Sequence, residues 1–183
     1  GNGNGNGHTP RRSLRWIDLV TGEEMEVAGV RSFAFSEDGS HLAIHRTRAD
    51  GEVDYEGSDL LIRNLGEGGS LAFGNVSEFA FDEGSEHLAY LVDAEDRSGN
   101  GLYLVELGEG RIRSVDAGPY RYEDLAWSED GARLATLRGS VPEGMTHREN
   151  TLVVASPEVS PKVIYEPASD AAFPQGFVLS ELA

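Results

Sequence analysis

A motif that recurs every 46 residues, aromatic residues alternating at period two, and the lack of any sustained helical periodicity predict an all-β chain. The fold class they define is a partial β-propeller: about three complete four-stranded antiparallel blades plus two partial blades. The repeat opens with Phe33-Ala34-Phe35-Ser36-Glu37-Asp38-Gly39, returns as Phe79-Ala80-Phe81-Asp82-Glu83-Gly84, and returns again as Leu125-Ala126-Trp127-Ser128-Glu129-Asp130-Gly131. The same offset carries Leu42-Ala43 onto Leu88-Ala89 and Leu134-Ala135. Aromatic strand, turn and Leu-Ala pair stay in phase, at a spacing typical of propeller blades.

Each unit reads as four strands. The first carries the alternating aromatics, and the turn that follows supplies a Gly for the left-handed position of a short hairpin loop. The second holds His41-Leu42-Ala43-Ile44, His87-Leu88-Ala89-Tyr90 or Arg133-Leu134-Ala135-Thr136. The third is a nearly continuous apolar run, Leu60-Leu61-Ile62, Leu102 to Val105 or Leu152 to Val154, which implies burial on both faces. A Gly-containing turn then leads into a short polar outer strand such as Ile112 to Val115. Residues 30–75, 76–120 and 121–170 are the three blades. Residues 13–29, with Leu14 to Leu19 and Met25 to Val27, match the end of a preceding blade, and residues 171–183 the start of a following one. The alternating Gly and Asn of residues 1–12 suit a flexible linker. A chain that starts and stops inside blades is expected to be cut from something larger and to self-associate through its open blade faces.

Composition narrows the function. Fifteen Lys and Arg against 32 Asp and Glu give a net charge of −17 in 183 residues. That surface repels phosphate, so nucleic acid is excluded as a partner, and apolar runs of about five residues are far too short for membrane insertion by a helix. With no cysteine, neither disulfides nor thiolate chemistry is available.

The phrase aromatic–Ala–aromatic–Ser–Glu–Asp–Gly–x–x–Leu–Ala, followed by Leu102-Tyr103-Leu104-Val105-Glu106-Leu107-Gly108-Glu109-Gly110, resembles the TolB-like propeller repeat. That repeat also builds the N-terminal propeller of prolyl oligopeptidase-family serine peptidases, and the long inserts between second and third strands resemble the peptidase form more closely. The resemblance spans Leu14 to Tyr165. It implies a non-catalytic domain that gates access to a peptidase site and helps bind the peptide; the alternative is a TolB-like protein-interaction scaffold of the cell envelope. By the same analogy the implied location is the bacterial periplasm or exterior. The implied partners are further blades, a hydrolase domain of a parent chain, and a peptide or protein ligand. No Gly-x-Ser-x-Gly nucleophile motif occurs, so no catalytic residue is assigned, and no cofactor or metal is expected.

The candidate binding residues lie in the inserts. Asp50, Glu52, Asp54, Tyr55 and Glu56 come from the first, Asp93, Glu95 and Asp96 from the second, and Glu143 and His147 from the third. Blade topology brings all three inserts to one end, where their carboxylates would form an acidic rim that attracts a cationic group. Asp93 to Asn100 lacks the spacing of an EF-hand loop. His41 and His87 read as strand-edge residues.

Overall fold

The computed structural model describes residues 12–48, 54–158 and 162–180. Asp50 and Glu52 lie outside them. Strands β1 (Ser13–Ile17) and β2 (Glu24–Ala28) form a two-stranded sheet. The first blade is β3 (Val30–Phe35), β4 (His41–Arg46), β5 (Ser58–Asn64) and the front half of β6 (Ser70–Phe81). The rear half of β6 starts the second blade, continued by β7 (His87–Val92), β8 (Gly101–Glu106) and β9 (Arg111–Ala117). The third is β10 (Arg121–Trp127), β11 (Leu134–Ser140), β12 (Glu149–Ala155) and β13 (Val163–Tyr165). Every pairing is antiparallel.

The 12-residue β6 passes from one blade to the next without a break. Val76 is its pivot, paired with Ser58 on one side and with Val92 on the other. Asn75, at φ 58°, supplies the twist just before the crossing. Each inner strand is bulged near its start, at Val30/Ser32, Val76/Glu78 and Glu123/Ala126, so the irregularity repeats with the sequence.

The hairpin turns repeat at the level of atoms. A side-chain oxygen of Ser36, Asp82 or Ser128 accepts the backbone N–H five residues later, at 3.0, 2.9 and 2.9 Å. Gly39 and Gly131 take the left-handed position, as the sequence predicts, but in the second blade Ser85 takes it (φ 58°) and Gly84 does not. Strand register, not glycine placement, sets which residue bends: Ser85 is the residue equivalent to Gly39, whereas Gly84 comes one position early. Ser85 Oγ in turn accepts the Asp38 amide at 3.0 Å, tying neighbouring turns together.

Burial also departs from the expected pattern in one respect. The second strand is the most fully enclosed: His41 to His45 are all buried, while Leu61, Tyr103, Leu152 and Val154 on the third strands are only half-buried. The Leu-Ala pair explains the arrangement. Leu42, Leu88 and Leu134 each point into the seam with the preceding blade, whereas Ala43 and Ala89 point into the seam with the following one. The small side chain leaves room for the next blade's aromatic strand. Phe79 and Phe81 pack into the seam lined by Ala43, and Leu125 and Trp127 into that lined by Ala89. The flanking histidines share the alanines' side: His45 meets Phe79 edge-on at 5.9 Å, and His87 lies against Trp127 at 6.5 Å.

Candidate binding rim at the insert end

In a four-stranded antiparallel blade, the insert between second and third strands emerges at the same end as the link to the next blade. The hydrogen bonds show this convergence. Thr47 N–H donates to the Gly29 carbonyl at 2.7 Å, Asp93 N–H to Asn75 at 2.8 Å, and Gly118 N–H to Asn100 at 3.1 Å. The first and second inserts also touch each other. Glu56 N–H donates to the Asp93 carboxylate at 2.8 Å, and the Glu56 carboxylate pairs with Arg121 at the start of the third blade. Gly57 is required at this crossing. A side chain there would place Cβ 2.5 Å from the Asn75 carbonyl oxygen and closer still to that of Asp93.

The candidate residues therefore divide. Asp54, Glu95, Asp96, Glu143 and His147 are exposed, Glu56 is exposed but paired, and Tyr55 is half-buried against the Arg48 guanidinium, 5.1 Å from its ring. Asp93 departs from the expectation of a solvated carboxylate. It is only 4% exposed and accepts from Glu56 N–H and from Asn100 Nδ2 at 3.2 Å. Its role is to brace two inserts. No bond joins Glu143 or His147 to the other inserts among the described residues. His41, read from sequence as a strand-edge residue, is buried, and its Nδ1 meets Ser40 Oγ at 2.8 Å; the partly buried His87 bonds to Asp82 Oδ2 at 3.0 Å. Among the described residues no three carboxylate, imidazole or thiol groups gather closely enough to hold a metal ion.

Three polar clusters escaped sequence reasoning. Asp116, 2% exposed, sits on β9 and receives Arg138 Nη1 at 3.0 and 2.8 Å, Tyr122 Oη at 2.8 Å, and Lys162. Burial works to raise its pKa, but the donors from Lys162, Tyr122 and Arg138 outweigh it and hold the carboxyl below its ordinary range. Burial and the same carboxylate push the Tyr122 phenol up. Arg138 also lies over the Tyr120 ring at 4.8 Å, so one guanidinium links the second blade, the third blade and the insert end. The second cluster centres on His45, whose Nε2 is 2.8 Å from the Val76 carbonyl and 2.9 Å from Ser58 Oγ. Burial depresses its pKa, against the opposing pull of the Val76 carbonyl. In the third, both Glu78 oxygens accept backbone N–H groups of the next blade, Asp124 at 3.1 Å and Leu125 at 3.0 Å. The equivalent positions hold Ser32 and Asp124, so the repeat offers no pattern that would have marked Glu78.

Among the described residues, two concavities bear on binding. Beside the third insert, a cleft of about 640 Å³ opens between the blade and the chain beyond β13, lined by Tyr120, Arg138, Glu149, Asn150, Asp170 and Phe177. The segment from Ala171, expected to begin another blade, forms turns as far as the described residues extend, and its Leu179 carbonyl accepts from Asn150 Nδ2 at 2.8 Å. At the opposite end a shallower hollow of about 400 Å³ gathers the three repeat-equivalent aromatics Phe35, Phe81 and Trp127.

Comparison with known proteins agrees with this architecture. The chain resembles the β-propeller domain of the Trilobed protease from Pyrococcus furiosus, which has an open velcro topology (TM-score 0.56, 10% identity, covering 84% of this chain and 48% of that one). A prolyl endopeptidase matches at TM-score 0.53 and 13% identity, over 82% of this chain and 25% of the other. An oligogalacturonate lyase crystallised with manganese matches at 0.55 and 16%, over 84% and 47%. No family model matches the sequence, and no curated protein matches it. The fold is thus a partial β-propeller. The chain spans about half the length of the Pyrococcus domain. A lyase among the matches shows how loosely this fold is tied to one chemistry.

Proposed function

We propose that this chain is a non-catalytic propeller segment that binds and gates peptide for a prolyl oligopeptidase-like serine peptidase. The observation that carries the reading is the cleft of about 640 Å³ at the insert end, within the size range of small-ligand sites. Its wall mixes aromatic surface (Tyr120, Phe177) with Arg138, Glu149 and Asp170, groups suited to a peptide's apolar side chains and its termini. Exposed Asp54, Glu95, Asp96 and Glu143, at the same end of the blades, favour a ligand with a positive amino terminus or basic side chains. The resemblance to peptidase propellers supports the gating role, since a domain without a nucleophile acts on a peptide only by holding or excluding it.

The test is binding of a fluorescent basic decapeptide, followed by anisotropy at low and at physiological salt. Saturable binding is expected, with affinity falling severalfold in Asp96→Asn/Glu143→Gln and falling again as salt rises. Binding that survives both changes, or no binding by a folded chain, would overturn the reading. An interaction scaffold, the rival function, gains support if a folded partner domain binds the rim while short peptides of either charge do not.

A further inference from the structure

The hollow at the turn end gathers two kinds of group that folding leaves unused. Phe35, Phe81 and Trp127 are the last residues of β3, β6 and β10, and each is followed two positions later by a glutamate, Glu37, Glu83 or Glu129. All three aromatics, together with Glu37 and Glu83, line the hollow of about 400 Å³. Phe81 and Trp127 stand in filled seams and are still only partly buried, so the surface they show here is what blade packing leaves over. Trp127 is also held in place. Its Nε1 donates to the Ala80 carbonyl at 3.2 Å, and its ring lies against His87, whose Nδ1 is 3.0 Å from Asp82 Oδ2.

The glutamates are spare in the same sense. Their neighbours close the turns: Ser36, Asp82 and Ser128 accept the amides of His41, His87 and Arg133, and Asp38 and Asp130 accept those of Ser40 and Ala132. Glu37 and Glu83 are exposed, and among the described residues neither carboxylate has an ion pair or a hydrogen bond. Two carboxylates that serve neither turn nor seam thus stand beside aromatic rings that packing has not covered.

We infer that this hollow is a binding site for an arginine side chain of a polypeptide ligand, its guanidinium stacked on Trp127 or Phe81 and paired with Glu37 or Glu83. The chemistry selects arginine over lysine. A guanidinium stacks on an aromatic face and still donates, in its own plane, to a carboxylate, whereas an ammonium is a compact and strongly hydrated charge. A shallow hollow favours the more weakly hydrated ion, since it strips little water from either. The net charge of −17 adds a general attraction for cations, and the rings supply the selectivity that charge alone lacks. This site lies at the opposite end of the blades from the insert-end cleft, and does not depend on the peptide-gating reading.

The probe is acetyl-Gly-Arg-Gly-amide, titrated into the nitrogen-15-labelled chain while the indole N–H signals of its two tryptophans, Trp16 and Trp127, are followed. The expected result is a saturable shift of the Trp127 signal with a Kd in the millimolar range, while Trp16 stays still. Glu37→Gln/Glu83→Gln should weaken binding by about fivefold or more. The same loss of charge at Glu67 and Glu158, exposed in the turns after β5 and β12, should change it by less than about twofold. The matching lysine peptide should bind severalfold more weakly, and the leucine peptide should leave Trp127 unmoved. No Trp127 shift up to about 20 mM arginine peptide would overturn the inference. So would equal weakening by the two double variants, each shown by circular dichroism to be folded, or equal binding of the lysine peptide.

Discussion

The seam between the second and third blades and the face in front of the first are built from the same residue pattern and end in opposite states. Trp127 is partly buried, with its indole nitrogen bonded and its ring against His87; Phe35, at the equivalent position, is half exposed. Nothing within either blade accounts for the contrast. The difference lies in the preceding blade, which offers an alanine-lined first-and-second-strand surface in one case and only β1–β2 in the other. Burial in a propeller is thus a property of the seam, and an aromatic strand is a half-interface that its own blade cannot satisfy.

The sharpest contrast comes from removing the residue that fills a complete seam. Leu88 is fully buried between the first and second blades, and Leu88→Ala should cost about 4 kcal/mol, measured by denaturant unfolding. Ile17, exposed on β1, should cost less than about 0.5 kcal/mol on the same change. Equal costs would break the division into filled and bare faces.

Next in size is the small residue that keeps a seam open. Ala89→Leu pushes three extra carbons' worth of volume toward Tyr122 and Leu134 and should destabilise by about 2 kcal/mol. Ala135→Leu, at the equivalent position on the half-exposed last face, should be tolerated within about 0.5 kcal/mol.

Electrostatics sharpen the comparison further. Asp116→Asn leaves Arg138 and Lys162 without their counter-charge and should cost about 2 kcal/mol, discounted because Lys162 is partly solvated. Two buried depressed groups contribute to the pH dependence, beside the exposed Asp18, Asp38, Asp130 and Asp170, which hydrogen bonds also hold low. His45 is held neutral in the fold, below its ordinary value of 6.5, so the unfolded chain binds more protons and stability falls as pH drops below about 6.5. Asp116, held below its ordinary 3.8, adds a second loss at lower pH. His45→Gln should flatten the first slope and Asp116→Asn should reduce, without abolishing, the second, read from thermal melts across pH.

How much of this was legible in sequence follows from its physical range. The repeat offset, the strand order and the shared end of the inserts are set by local pattern and chain length, so Phe33, Phe79 and Leu125 announced them. Asp93, Asp116 and Glu78 were not legible as bracing residues, because most of their partners come from other blades or inserts and the repeat does not reproduce the arrangement: the positions equivalent to Glu78 hold Ser32 and Asp124. Ser85 was hidden for the opposite reason: an adjacent glycine, Gly84, offered a more obvious bend, and register overruled it. His45 carried one faint signal, a polar residue at the end of the apolar run Leu42-Ala43-Ile44. Its partners, Ser58 on β5 and Val76 on β6, meet it only once those strands have paired beside β4.

The central claim, that each aromatic strand is covered by the blade before it, is tested most directly by chemical accessibility. The chain contains no cysteine, so Phe35→Cys, Phe81→Cys and Trp127→Cys each introduce a single thiol at a repeat-equivalent position. Labelling with a thiol reagent under native conditions should proceed at nearly the unfolded rate for Phe35→Cys and at least about tenfold more slowly for the other two, which are protected by local stability. Equal rates at all three positions, in variants shown by circular dichroism to be folded, would contradict the account.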